Sequence, residues 1–144
     1  MLDGTFFRTV GANVRDRYRN HIFRKAKDVY DKDFSSIYKG DYKARKSAGK
    51  FKRFEKAPKI NSPVLTGDLL RDYSLIKTST NGFQIGWIVQ GAKVKWLKDM
   101  NRVLTTSKQP LPKGEINYLS SESKKYIKKK LGPNKTTIHK IGKK

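Results

Sequence analysis

Between residues 11 and 30 the apolar positions recur every three or four residues, at Val14, Tyr18, Ile22, Ala26 and Val29 or Tyr30, with Arg15, Arg17, Arg19, Arg24, Lys25 and Lys27 between them. A repeat of that spacing predicts an amphipathic helix with one apolar stripe. Phe6 and Phe7 precede it and read as a short arm, which either caps the local core or docks on a neighbouring subunit. Farther along, two apolar, strand-like runs at residues 73–80 and 83–89 flank Asn81-Gly82, the strongest short-range signal for a two-residue hairpin. Such a turn pairs Thr80 with Phe83, Thr78 with Ile85 and Ile76 with Trp87, and requires positive φ at Gly82. One face of the hairpin then carries Ile76, Phe83, Ile85 and Trp87. That face needs a cover, and the first helix is the nearest candidate.

Val94, Trp96, Leu97 and Met100 suggest a short helix, followed by a loop over residues 101–114 marked by Thr105, Thr106, Ser107, Pro110 and Pro112. From residue 115 to 131 a second long helix is expected, with Ile116, Leu119, Ser123, Ile127 and Leu131 at helical spacing. Glu115 and Glu122 stand early in it and Lys128, Lys129 and Lys130 at its end, the order that complements the helix dipole. Before the hairpin, the stretch NSPVLTGDLLRDY holds Pro63, which ends a loop, and Thr66 or Asp68, either of which can cap a short helical turn. The expected fold class is α+β: an antiparallel hairpin-containing sheet packed against an N-terminal and a C-terminal helix. Residues 1–131 form one domain with a basic loop at 39–60, and 132–144 form a basic tail.

Charge changes this picture most. The chain has 144 residues, 34 Lys and Arg against 12 Asp and Glu, and a net charge of +22. A domain of this size carries strong self-repulsion at that charge, so an anionic partner is expected, most naturally a phosphate backbone. The cations concentrate in two places. Residues 39–59 hold nine of them, interleaved with Tyr42, Phe51 and Phe54, a composition suited to ion pairing and stacking on nucleic acid, or to a solvated loop that orders only against a partner. The tail adds Lys135, Lys140, Lys143 and Lys144 with no acid, and is expected to be mobile until it meets a polyanion. Candidate phosphate-facing residues are Lys43, Arg45, Lys46, Lys50, Lys52, Arg53, Lys128, Lys129 and Lys130, contacting phosphate without reading bases. There is no cysteine, which excludes disulfides, thiolate metal sites and cysteine nucleophiles. Neither a signal-peptide run nor a stretch of about 18 apolar residues is present, so no membrane partner is expected.

Catalytic chemistry has few candidates. His21 falls on the first helix and His139 in the tail, neither with a partner at motif spacing. Asp28, Asp31 and Asp33 could hold Mg²⁺ for a nuclease, but they read more simply as a solvated helix end. No phosphate-binding glycine loop or dinucleotide fingerprint occurs. Neither an enzyme nor a cofactor or metal site is expected. Trp87 and Trp96, with Phe6 and Phe7, read as core or subunit-interface anchors.

The order of elements, together with Leu65-Thr66-Gly67-Asp68-Leu69-Leu70-Arg71, Ile85-Gly86 and Gln109-Pro110-Leu111, resembles the virion-morphogenesis or tail-completion proteins of tailed bacteriophages, which join tail to head or close the tail end. The first motif looks like that family's turn into its first strand, Ile85-Gly86 like part of its second, and the third like its Arg-Pro-apolar step. The likeness covers residues 11–131. It departs at Asp72, where many members have Ser, at Gln109, where the family has Arg, and after the hairpin, where Val94 to Met100 replaces a Tyr-Ala, His and Gly pattern. The resemblance implies a structural, non-enzymatic virion subunit at the head-to-tail junction, neck or tail end. It also implies assembly as a homo-oligomeric ring, commonly a hexamer, around a DNA channel and beside connector, portal-side or tail proteins. The alternative is a monomeric basic nucleic-acid-binding protein associated with ribosome or nucleoid.

Overall fold

A computed structural model describes residues 2–34 and 68–132. Helix α1 spans Gly4–Arg19, earlier than the periodicity suggests, because Asp3 caps it. One Asp3 carboxylate oxygen accepts the Phe6 N–H at 2.9 Å, and the Asp3 carbonyl accepts that of Phe7 at 3.0 Å. Phe6 and Phe7 therefore sit in the first helical turn and are buried, which removes the projecting arm. At the other end the helix widens into a π-turn, Asn20–Arg24, where the Lys25 N–H reaches back to the Asn20 carbonyl. Ala26 then takes a left-handed φ of 55°, so the helix ends well before residue 30. Beyond it the chain doubles back, with Lys27 bridged to Asp33 and the Val29 N–H bonded to the Val103 carbonyl at 3.0 Å.

Helix α2 (Asp68–Asp72) leads into strand β1 (Tyr73–Thr78), which pairs antiparallel with β2 (Phe83–Trp87). The observed register is Thr78 with Phe83, Leu75 with Ile85 and Tyr73 with Trp87. It differs from the two-residue-turn register for two reasons. The connection is longer, running from Ser79 to Gly82 and closed by the Ser79 N–H on the Gly82 carbonyl at 2.9 Å, and an irregularity lies between Leu75 and Lys77. The irregularity turns Ile76 outward and puts Leu75 inside, as a β-bulge does. Neither Asn81 nor Gly82 has a positive φ, so this is not the primed turn expected from Asn-Gly.

Helix α1 covers the hairpin as anticipated, and the approach is close at Gly11. A Cβ there would stand 2.8 Å from Leu75 Cδ1 and 3.1 Å from the Phe83 ring. Helix α3 (Gly91–Asp99) follows β2, and a loop leads to α4 (Lys113–Leu131). Helix α4 runs antiparallel beside α1. Tyr118 takes a hydrogen bond from Asn13, and Tyr126 meets Phe6 and donates to Asp3 at 2.6 Å. The fold is thus α+β, with the two-stranded antiparallel sheet and the C-terminal helix both packed against the N-terminal helix.

Two apolar clusters hold it. The larger joins Tyr18, Ile22, Phe23, Phe34, Leu69, Tyr73, Val94, Leu97 and Leu104. Tyr18 is fully buried, stacked on Tyr73 at 4.1 Å with its hydroxyl donating to the Leu104 carbonyl at 2.6 Å. The smaller consists of Phe6, Phe7, Val10 and Val14, against which Phe83, Ile85, Leu111, Leu119 and Tyr126 rest half-buried. The basic loop and the tail beyond Gly132, including Lys43, Arg45, Lys46, Lys50, Lys52 and Arg53, lie outside the described residues.

Candidate nucleic-acid interface

Lys128, Lys129 and Lys130 form the last turn of α4 and are exposed, next to the exposed Lys124 and Lys125. Lys124 and Lys128, and Lys125 and Lys129, are four residues apart and so face the same way, about 6 Å apart along the axis. Like charges at that spacing destabilise a helix by about 0.2–0.5 kcal/mol per pair. Relief is small: Lys125 reaches Glu122 at 2.9 Å, and the Lys130 ammonium stands 5.5 Å from the Tyr126 ring centre. Proximity to the helix C-terminus offsets part of the repulsion for Lys128–Lys130, and an anion laid along the row would remove the rest.

Helix α4 is attached lightly. Its one buried residue is Glu115, whose carboxylate lies 3.7 Å from the Arg17 guanidinium and has one oxygen, Oε2, with no hydrogen-bond partner among the described residues. At the far end, the Asp3 carboxylate holds both the α1 N-terminus and the Tyr126 hydroxyl. The Tyr126 bond and then the Phe6 N–H lower its pKa, and the same bond raises that of Tyr126.

Of the residues expected at a subunit contact, three are occupied within the chain. Phe6 packs on Tyr126 and Phe7 on Phe83. Trp87 lies against Tyr73 and Tyr18 and donates its indole N–H to the Leu69 carbonyl at 2.9 Å. The fourth, Trp96, projects, 59% exposed on α3 while Val94 and Leu97 of the same helix are buried. Just before α3 come Ile88 and Val89, 66% and 75% exposed, which the sequence pattern places in the strand. The strand stops at Trp87, and an Asp72 carboxylate oxygen accepts the N–H groups of Val89 and Gln90 at 2.9 and 2.7 Å. Burial works upward on the Asp72 pKa, but these backbone donors outweigh it and the net shift is downward. Asp72 thus fixes the chain as it turns into α3.

The three aspartates considered for metal binding do not converge. Asp28 is buried and spends one oxygen on the N–H groups of Tyr30 and Lys32, while Asp33 pairs with Lys27 at 3.2 Å. No cluster able to hold a metal ion occurs among the described residues. His21 hydrogen-bonds the Asp28 carbonyl at 3.0 Å. Comparison with protein-family models, curated proteins and solved structures finds no match. Among the described residues no helix is long and apolar enough to cross a membrane.

Along the outer side of β2 runs a groove of about 610 Å³, floored by Phe7, Phe83 and Ile85 and walled by Leu111 and Leu119. Its rim is Gln84, Thr105 and Ser123, and no described residue lining it is charged.

Proposed function

We propose that this chain is a structural subunit of a tailed-phage particle, part of a head-to-tail connector, neck or tail-completion ring, whose lysine-rich surface lies against the genome without reading its sequence. The observation that carries the polyanion half of this reading is the self-repelling lysine row on α4, set on a helix with little else to hold its outer face. The α+β frame, with a hairpin under an N-terminal helix, supports the family half through the element order that carries the resemblance. A ring of such subunits, commonly six, would need its cations turned toward DNA, solvent or acidic connector and tail proteins, and its contacts made through apolar surface.

The test is a DNA titration at several salt concentrations, with the native mass measured in parallel. Replacing Lys128, Lys129 and Lys130 by Gln is expected to lower affinity equally for unrelated sequences. It should flatten the slope of log K against log salt by up to about 3, roughly one for each phosphate no longer neutralised. A triple variant that keeps the wild-type slope overturns the DNA-facing role. A chain that binds DNA in this way but stays monomeric at every concentration favours the ribosome- or nucleoid-associated alternative.

A further inference from the structure

Two apolar features stand open among the described residues: the exposed Ile88 and Val89 just before α3 with the exposed Trp96 on it, together termed the knob, and the groove along β2. We infer that the knob of one copy seats in the β2 groove of the next, a head-to-tail contact that would build the assembly. The inference rests on the ring reading above and names its contact surfaces.

Charge decides the pairing. The knob is flanked on α3 by the exposed Lys93, Lys95 and Lys98, so two knobs meeting face to face would bring both sets of lysines together. The groove is the seat that avoids this, since no described residue lining it is charged in a chain where 34 of 144 residues are Lys or Arg. Other clefts among the described residues do not offer this. Lys125 and Lys129, with Glu122, line the one between α1 and α4, and Arg17, Lys25 and Lys113, with Asp31 and Glu115, the one at the start of α4, so both hold cations that the groove lacks. Contact between two copies of a chain with charge +22 costs least where cations are absent, which favours this groove as the seat for self-contact.

Geometry favours the knob as the inserting part. Its backbone is held by Asp72 at Val89 and Gln90, and Trp96 rises from a helix anchored by Val94 and Leu97, so little ordering is lost when it docks. One repeated contact of this kind covers both features on every subunit of a closed ring, whereas a contact of knob against knob leaves the groove open.

The chain has no cysteine, so introduced pairs are unambiguous. Full-length chains carrying Val89→Cys and Gln84→Cys separately are mixed and oxidised, and the disulfides are mapped. Gln84→Lys and Trp96→Ser, both at exposed positions, are assayed for association by native mass. The expected result is a mixed 89–84 disulfide, with each substitution weakening association at least tenfold. The contact is overturned, with the ring reading left standing, if wild-type chains assemble but join only through 89–89 disulfides or keep full association with Gln84→Lys. It is likewise overturned if the thiol of the Gln84→Cys variant resists alkylation in dilute monomer, because the chain's own residues then fill the groove. A wild-type chain monomeric at all concentrations overturns both the contact and the ring.

Discussion

The two ends of α1 rest in different surroundings. The C-terminal end enters a sealed cluster in which Tyr18, Ile22 and Phe23 are wholly shielded by segments from elsewhere in the chain. The N-terminal half buries Phe6, Phe7, Val10 and Val14 partly against Phe83 and Ile85 of β2 and partly against α4, a helix that contributes no fully buried apolar residue of its own. In α4, Ile116 and Leu131 are 42% and 36% exposed, and Leu119 and Tyr126 are half-covered. The difference teaches that one end carries the fold and the other carries a peripheral, cation-bearing helix. Local openings are expected to begin at the weaker end.

The most direct way to break this contrast is a pair of truncations followed by denaturant unfolding. Phe23→Ala should cost about 3–5 kcal/mol, as expected for a large side chain in a core that cannot collapse around the gap. Leu119→Ala should cost only about 1–1.5 kcal/mol, since half-covered apolar area is worth roughly half of full burial. Equal costs would mean that α4 belongs to the same cooperative core.

A smaller effect sharpens the comparison through pH. The Asp3 carboxyl has a lower pKa in the folded chain than its ordinary value of 3.8, so folding favours its charged form. Its contribution is therefore complete above 3.8 and falls away as pH drops through the lower folded value. Hydrogen exchange in the last turns of α4 should accelerate over that acid range in wild type. In Asp3→Asn the exchange should already be faster at neutral pH, with the acid-dependent part reduced. An unchanged acid profile in Asp3→Asn would detach the Asp3–Tyr126 bond from the docking of α4.

The smallest effect is expected at the hairpin tip. Gly82→Val should change stability by no more than about 0.5 kcal/mol, because the position has ordinary φ and nothing lies within 4 Å of a Cβ placed there. A large loss on thermal unfolding would restore the tight turn that Asn81-Gly82 suggests.

How much of this is legible in the sequence follows the physics of each signal. The period of Val14, Tyr18 and Ile22 reports a buried stripe, and the stripe is there; the termination at Ala26 depends on a left-handed residue that no helical pattern announces. Asp3, at cap spacing from Phe6, is the sign that the helix starts early, and an apolar pair that reads as an arm obscures it. The alternation of the strands reveals the hairpin, but register is set by the turn and by the irregularity at Ile76, where one extra residue moves a side chain to the opposite face. Within the candidate site, the lysines of α4 are visible because charge order along a helix is local. The exposure of Ile88 and Val89 is not, since it follows from Asp72, 17 residues before Val89, capturing the backbone that leaves β2.

If the proposed polyanion and self-contact roles hold, a groove with no charged lining among the described residues makes ionic strength a selector between the two partners. Raising salt shortens the reach of repulsion between like-charged copies to about 8 Å near physiological strength, and leaves apolar seating intact. The same increase erodes the release of counterions that drives attachment to a phosphate backbone. On the proposed reading, dilute salt would scatter such chains along a polyanion and concentrated salt would gather them onto one another, so that the ionic setting alone would order binding and association in time.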